Sequence, residues 1–123
     1  MEGSIKISLI IPVYNGEPYI KRCFDILIKQ NFDEPWEIII VDDASTDKSK
    51  EIIKQYKLPN LKLYSLPTNS GQSVARNFGI TKALGEYIFF QDIDDLISVK
   101  SLKTLYATAK KNNCDMVCSD FKR

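Results

Sequence analysis

Two hydrophobic periods take turns along this chain, and that alternation limits its fold more than any other feature. Ile5 to Val13 is a β-branched run that closes on a proline, the pattern of a strand buried on both faces toward its end. Glu17 to Asn31 then spaces Ile20, Cys23, Phe24, Leu27 and Ile28 along one helix face, with Pro18 near the start. Trp36 to Val41 predicts a second buried strand. Ser45-Thr46-Asp47 supplies an N-cap signal for a helix carrying Ile52, Ile53 and Tyr56. Leu61 to Leu66 alternates as a third strand. Asn69-Ser70-Gly71-Gln72 predicts a helix cap with a glutamine three residues on, opening a helix through Val74, Ala75, Phe78 and Ala83. Glu86 to Gln91 predicts a fourth strand, Ser98 to Lys111 a fourth helix, and Cys114 to Ser119 a fifth strand. Strand and helix in alternation mean crossover connections. The expected fold class is therefore α/β, a Rossmann-like, mostly parallel sheet with helices on both faces.

Composition narrows the chemistry. The 123 residues suit one domain, long enough to bury one core. Seventeen basic against sixteen acidic residues leave a net charge of +1, no electrostatic footprint for nucleic acid or an anionic membrane. No apolar run approaches the ~20 residues of a membrane span. Met1 to Lys6 starts with an acid, and polar Tyr14-Asn15 follows too soon for a signal peptide. Histidine is absent, which excludes Ser-His and Cys-His pairs and the common zinc sites. Cys23, Cys114 and Cys118 form no disulfide framework. In a strand, Cys114 and Cys118 stand ~13 Å apart, too far to bridge. Carboxylates, amides, Arg and Lys, with whatever cation they hold, are left to do the work.

Ligands of open α/β sheets bind beyond the carboxyl ends of the strands. Here strand one runs into Pro12-Val13-Tyr14-Asn15-Gly16, strand two into Asp42-Asp43-Ala44-Ser45, strand three into Thr68-Asn69-Ser70-Gly71, and strand four into Asp92-Ile93-Asp94-Asp95. Five carboxylates are thus aimed at one rim. Two such charges at 4 Å repel by ~4 kcal/mol at an effective dielectric near 20. A crowd of this kind relaxes by holding protons or by taking up a cation. Asp92 and Asp94 sit ~6.6 Å apart in extended backbone with side chains on one face. They can converge on one divalent ion or divide between an ion and a hydroxyl; all-oxygen ligation favours Mg²⁺ or Mn²⁺. Taken singly, each feature has a plainer use. Asp-x-Asp can be a solvated loop, Asp42-Asp43 turn chemistry, Asn69 to Gly71 a cap, Tyr14 a cover for the sheet edge, and Arg76 a helix-surface residue. Their coincidence at successive strand ends favours a site.

Four segments in order carry a resemblance over nearly the whole chain. They are Ser8 to Gly16 (SLIIPVYNG), Ile38 to Asp47 (IIIVDDASTD), Asn69 to Ile80 (NSGQSVARNFGI) and Gly85 to Asp95 (GEYIFFQDIDD). Together they resemble the nucleotide-sugar-binding half of the family 2 glycosyltransferases, which have the GT-A fold. The resemblance implies that Pro12 and Tyr14 line the nucleotide base, with Tyr14 stacked on it. It implies that Asp43, together with Asp42, hydrogen-bonds the base or ribose. Asn69, Gly71 and Arg76 would lie beside the ribose and diphosphate. Asp92 would face the ribose and the metal, and Asp94 would bind Mn²⁺ or Mg²⁺ directly, with Asp95 extending the acidic run. The implied activity is inverting transfer of a sugar from a nucleotide-diphosphate sugar, a UDP-sugar in the first instance, to a saccharide or lipid-linked acceptor hydroxyl. The acidic general base of the family comes from a later segment, so it is expected beyond Arg123 and no catalytic base is assigned within the chain.

That departure makes the 123 residues read as one donor-binding domain, a fragment without the acceptor half, and leaves a non-catalytic nucleotide-sugar-binding module as the alternative. An uncovered edge near the fifth strand would invite a homodimer. Free cysteines and no targeting segment suggest the cytoplasm, and the resemblance implies that the longer protein works at the inner face of a membrane. Two other uses of clustered aspartates fit less well. A phosphoacceptor receiver needs its acidic pair after strand one, where Pro12 to Asn15 stand, and an acceptor Asp after the middle strand, where Leu66-Pro67-Thr68 stand. A phosphatase with a nucleophilic Asp needs its Asp-x-Asp after the first strand rather than the fourth.

Overall fold

The computed structural model describes residues 4–95 and 97–112. Four strands, β1 (Ile7–Val13), β2 (Trp36–Asp42), β3 (Leu61–Ser65) and β4 (Tyr87–Phe90), alternate with four helices, α1 (Glu17–Ile28), α2 (Ser49–Lys54), α3 (Gln72–Lys82) and α4 (Ser101–Lys111). The expected fifth strand at 114–119, with Cys114 and Cys118, lies outside the described residues. The sheet has the order β3-β2-β1-β4 and every pairing in it is parallel. The chain therefore builds outward from β1 through β2 to β3, then crosses back to place β4 on the other side of β1. That reversal is a topological switch, and it opens a crevice above the carboxyl ends of β1 and β4.

Period-two alternation sorts the strand side chains between two cores. Ile7, Leu9, Ile11 and Val13 of β1, with Ile38 and Ile40 of β2 and Tyr87 and Phe89 of β4, pack against Ile20, Phe24 and Leu27 of α1, Ile53 of α2 and Leu102 of α4. Ile10, Ile39 and Val41 point the other way, onto Ala75 of α3. The sheet is thus covered on both faces, as the near-continuous apolar strands require. Gly79 lets α3 lie close: a Cβ there would come within 2.6 Å of Ile10 Cγ2. Cys23 is buried in the first core, and that burial pushes its thiol up to about 12, which removes it from nucleophilic chemistry.

One charge breaks the apolar pattern. Glu37, at the start of β2, is 1% exposed. Its carboxylate accepts from the Ser8 hydroxyl (2.6 Å), Lys62 Nζ (2.8 Å) and the Leu84 N–H (2.7 Å). Burial alone would raise the Glu37 carboxyl, but the bonds from Lys62, Ser8 and Leu84 outweigh it and hold the group below its ordinary value. No helix among the described residues is long and apolar enough to cross a membrane.

Candidate nucleotide-binding site

The crevice at the switch point is a cavity of about 470 Å³. Pro12, Tyr14, Asn15, Gly16 and Tyr19 line it from β1 and the start of α1, and Asp43 from the end of β2. Asn69, Gly71 and Gln72 add the mouth of α3, and Asp92, Ile93 and Asp94 the end of β4. Seven of the residues expected from the sequence meet around it: Pro12, Tyr14, Asp43, Asn69, Gly71, Asp92 and Asp94. Tyr14 is 50% exposed, so a large ring stands in solvent beside the cavity. An aromatic face left open next to polar groups can take a planar ligand by stacking.

Asp43 organises the second wall. It is buried, and its carboxylate accepts from the Ser70 N–H (2.7 Å), the Gly71 N–H (2.8 Å) and Asn69 Nδ2 (3.2 Å). This corrects the expectation of a local cap at Asn69. The N-cap residue of α3 is Gly71, and no side chain of its own segment caps the helix. The turn instead takes its acceptor from the end of β2, 28 residues away. Gly71 has φ +99°, a left-handed conformation that glycine adopts without a steric cost. Gln72, expected as a capping partner, reaches across the crevice instead.

The third wall is acidic. Asp92 Oδ1 accepts from Gln72 Nε2 (2.7 Å) and Arg76 (3.0 Å), while its N–H donates to Asp95 Oδ2 (3.1 Å). Arg76 also lies over the Phe90 ring, with 5.8 Å to the centroid. Arg76 does not line the cavity; it acts on the site through Asp92. Asp94 is exposed and belongs to no ion pair among the described residues. Carboxylate oxygens of Asp92, Asp94 and Asp95 all lie within 4.8 Å of one another. Neighbouring oxygens on a Mg²⁺ or Mn²⁺ ion stand ~3 Å apart, for bonds of ~2.1 Å in octahedral geometry, so small side-chain rotations would close the set. The donor chemistry fits a hard divalent cation, and both bonds on Asp92 fall on Oδ1, away from Oδ2.

Asp42 behaves differently from its neighbour. It is 2% exposed, does not line the cavity, and its carboxylate accepts from the Ser45 hydroxyl (2.6 Å) and the Ser45 N–H (3.2 Å). Its place is inside the β2–α2 loop rather than against a ligand. The cap expected from Ser45 to Asp47 is displaced: the N-cap residue of α2 is Lys48, with no side-chain cap, and Asp47 just before it accepts from the Ser49 N–H (2.9 Å) and hydroxyl (2.6 Å). Burial works against the Asp47 charge, but the two Ser49 donors and the Glu17 N–H hold its carboxyl below the ordinary value.

Residues 8–123 match the family model described as glycosyl transferase family 2. The chain belongs to that family. This family 2 domain is 43% identical over 122 residues to the poly(ribitol-phosphate) beta-glucosyltransferase of Bacillus spizizenii, covering 96% of this chain and 19% of that protein. It superposes on Staphylococcus aureus TarS 1–349 in complex with UDP-GlcNAc with a TM-score of 0.83 and 38% identity, over 89% of this chain and 32% of that one. The mannosyltransferase PcManGT of Pyrobaculum calidifontis, in complex with GDP-Man and Mn²⁺, gives a TM-score of 0.76 at 27% identity, over 85% and 31%. The fold is that of these GT-A structures. The family 2 domain spans about a fifth of the length of the first curated relatives it matches.

Tyr19 and Gln72 are site residues that sequence reasoning missed. Tyr19 is the third residue of α1, at 38% exposure, and Arg22 covers its ring at 5.7 Å while donating to the Asp94 carbonyl (3.3 Å). A large aromatic outside the Ile20, Cys23, Phe24 and Leu27 face, close to the Pro-Val-Tyr-Asn segment, was the available signal.

Proposed function

We propose that this chain is the donor-binding part of a glycosyltransferase that uses a nucleotide-diphosphate sugar, a UDP-sugar first among them. The observation that carries the reading is convergence: ends of β1, β2 and β4 and the mouth of α3 place an open tyrosine, a polar turn and an acidic cluster around one cavity. Tyr14 stacks on the base, and Asp43 with the Asn69 to Gly71 turn meets the base or ribose. Asp92, whose Oδ1 accepts from Gln72 and Arg76, and Asp94 hold the cation. The chemistry a bound divalent cation supplies is neutralisation of charge on the departing diphosphate. The UDP-GlcNAc and the GDP-Man with Mn²⁺ held by the solved relatives support the reading.

The transfer we propose is inverting, with its acceptor-side base and the pocket for a saccharide or lipid-linked hydroxyl in a segment beyond Arg123, at the cytoplasmic face of a membrane. The far greater length of the relatives supports this division. The 123 residues alone should then bind donor and turn over poorly. The test is calorimetric titration with UDP-, GDP- and CDP-sugars, with and without Mn²⁺. Asp94→Ala should remove the metal-dependent part of binding, an effect of at least ~100-fold on Mn²⁺ affinity, since even partners behind a ligand are worth 10- to 100-fold. Equal binding with and without metal in the unaltered chain would overturn the assignment.

A further inference from the structure

Asn15 holds a position that donor contacts do not explain. It has φ +50°, in the left-handed region, between Tyr14 in the cavity wall and Gly16 at the mouth of α1. Asparagine tolerates this conformation better than other residues with a Cβ, because its short amide can bond locally. Here the amide bonds across to another loop. Asn15 Oδ1 accepts from the Thr46 N–H (2.8 Å), the Asp47 N–H (3.3 Å) and the Thr46 hydroxyl (3.3 Å). The Asn15 N–H donates back to Ser45 Oγ (2.9 Å), whose hydroxyl is in turn held by Asp42. Just after these residues, where α1 and α2 begin, the same two segments are joined again. The Gly16 N–H donates to Ser49 Oγ (2.9 Å), the Glu17 N–H to Asp47 Oδ2 (3.1 Å), and the Lys48 N–H to Glu17 Oε1 (3.1 Å).

We infer that Asn15 is a positioning residue for nucleotide binding: its amide clasps the β1–α1 loop to the β2–α2 loop and thereby fixes the orientation of Tyr14. The inference rests on the reading of Tyr14 as the base-stacking residue. Tyr14 is half exposed and stacks on no other aromatic ring among the described residues. Where its Cα–Cβ bond starts from is set by the backbone, and the backbone turns at the next residue. A ring held ready before the ligand arrives loses less freedom on binding than one that must be ordered by it. The clasp also gives buried Asp42 a use: through Ser45 it anchors the far side of the same loop pair.

The experiment uses UDP with Mn²⁺ as probe, titrated against the unaltered chain, Asn15→Ala, Asn15→Asp, Tyr14→Ala and the double variant. Amide hydrogen exchange at Thr46 and Asp47 is read in parallel. Asn15→Ala should speed exchange at both amides and weaken UDP by ~10-fold, a loss of preorganisation. Asn15→Asp keeps the acceptor oxygen and the left-handed turn, and should restore both readouts to within ~3-fold. Tyr14→Ala should bind UDP as weakly as the double variant, because the clasp acts through the ring. Asn15→Ala binding UDP at full strength would overturn the inference, as would additive losses in the double variant. Asn15→Asp that keeps the slow exchange at Thr46 and Asp47 yet binds UDP as weakly as Asn15→Ala would overturn it too, by showing that binding does not follow the clasp. If the unaltered chain binds no nucleotide, the donor reading fails and the inference with it. If the unaltered chain binds and the variants match it, only the inference fails.

Discussion

The two ends of the sheet both carry buried or half-buried carboxylates, and they use them in opposite ways. At the amino end, Glu37 is closed on every side: a lysine, a hydroxyl and a backbone N–H occupy its oxygens, and β1, β2, β3 and the turn before β4 are tied together through it. At the carboxyl end, Asp92 has its two donors on one oxygen, and Asp94 faces the cavity outside any described ion pair. A carboxylate whose acceptor capacity is used up inside the protein is part of the frame. One with capacity left toward a cavity can take a ligand. Asp43 stands between the two cases, since it holds the Ser70 and Gly71 amides and also lines the cavity.

Substitutions can break that contrast, and the largest effect belongs to the closed end. Glu37→Ala strands Lys62, Ser8 and the Leu84 N–H, and should cost about 3 kcal/mol in urea unfolding. UDP affinity measured well below the unfolding transition should stay within ~2-fold. Because the folded Glu37 carboxyl lies below its ordinary 4.5, its contribution is complete above that pH. It is lost as pH falls from there through the lowered folded value. Unfolding midpoints should drop across that range in the native chain and stay flatter in Glu37→Gln. An equal slope in both would break the contrast.

Asp43→Asn should cost about 2 kcal/mol, since an amide cannot accept from both loop N–H groups through both of its heavy atoms. It should weaken UDP as well, the double signature expected of a group with both duties. Ala44→Gly should work in the opposite direction. Ala44 has φ +59°, and relieving it should add about 1 kcal/mol, read as a rise of ~4 °C or more in Tm. Least of all, Asp94→Ala should leave stability within ~0.5 kcal/mol, as befits an exposed side chain, even while metal-dependent binding disappears. A large loss of stability there would put Asp94 with the frame.

Much of this was legible beforehand because hydrophobic period reports burial directly. The four strands and four helices in the described residues fall where the alternation predicts, with ends displaced by up to three residues. Rim residues followed from the rule that parallel strands point their carboxyl ends at the ligand. What stayed hidden depends on which distant segments touch. Glu37 reads as one acid in an apolar strand, and only the parallel register that sets it opposite Ser8 reveals the clamp. Asp42 and Asp43 are adjacent and identical in type, yet one turns into its own loop and the other toward the mouth of α3. Gln72 has a satisfactory local reading as a capping partner, and nothing nearby in sequence discloses that it bonds Asp92 across the crevice.

The close seat of α3 on β1 at Gly79 reaches further than core packing. Gln72, at the opposite end of the same rod, lies seven residues away, ~10 Å along the axis. A wedge under one end of a stiff rod tips the other. Any side chain at Gly79 would have to push past Ile10, and the displacement would surface at Gln72 and Arg76, and so at Asp92. The levelness of the acidic shelf is thus governed from beneath, by a hydrogen atom standing where a methyl group would not fit.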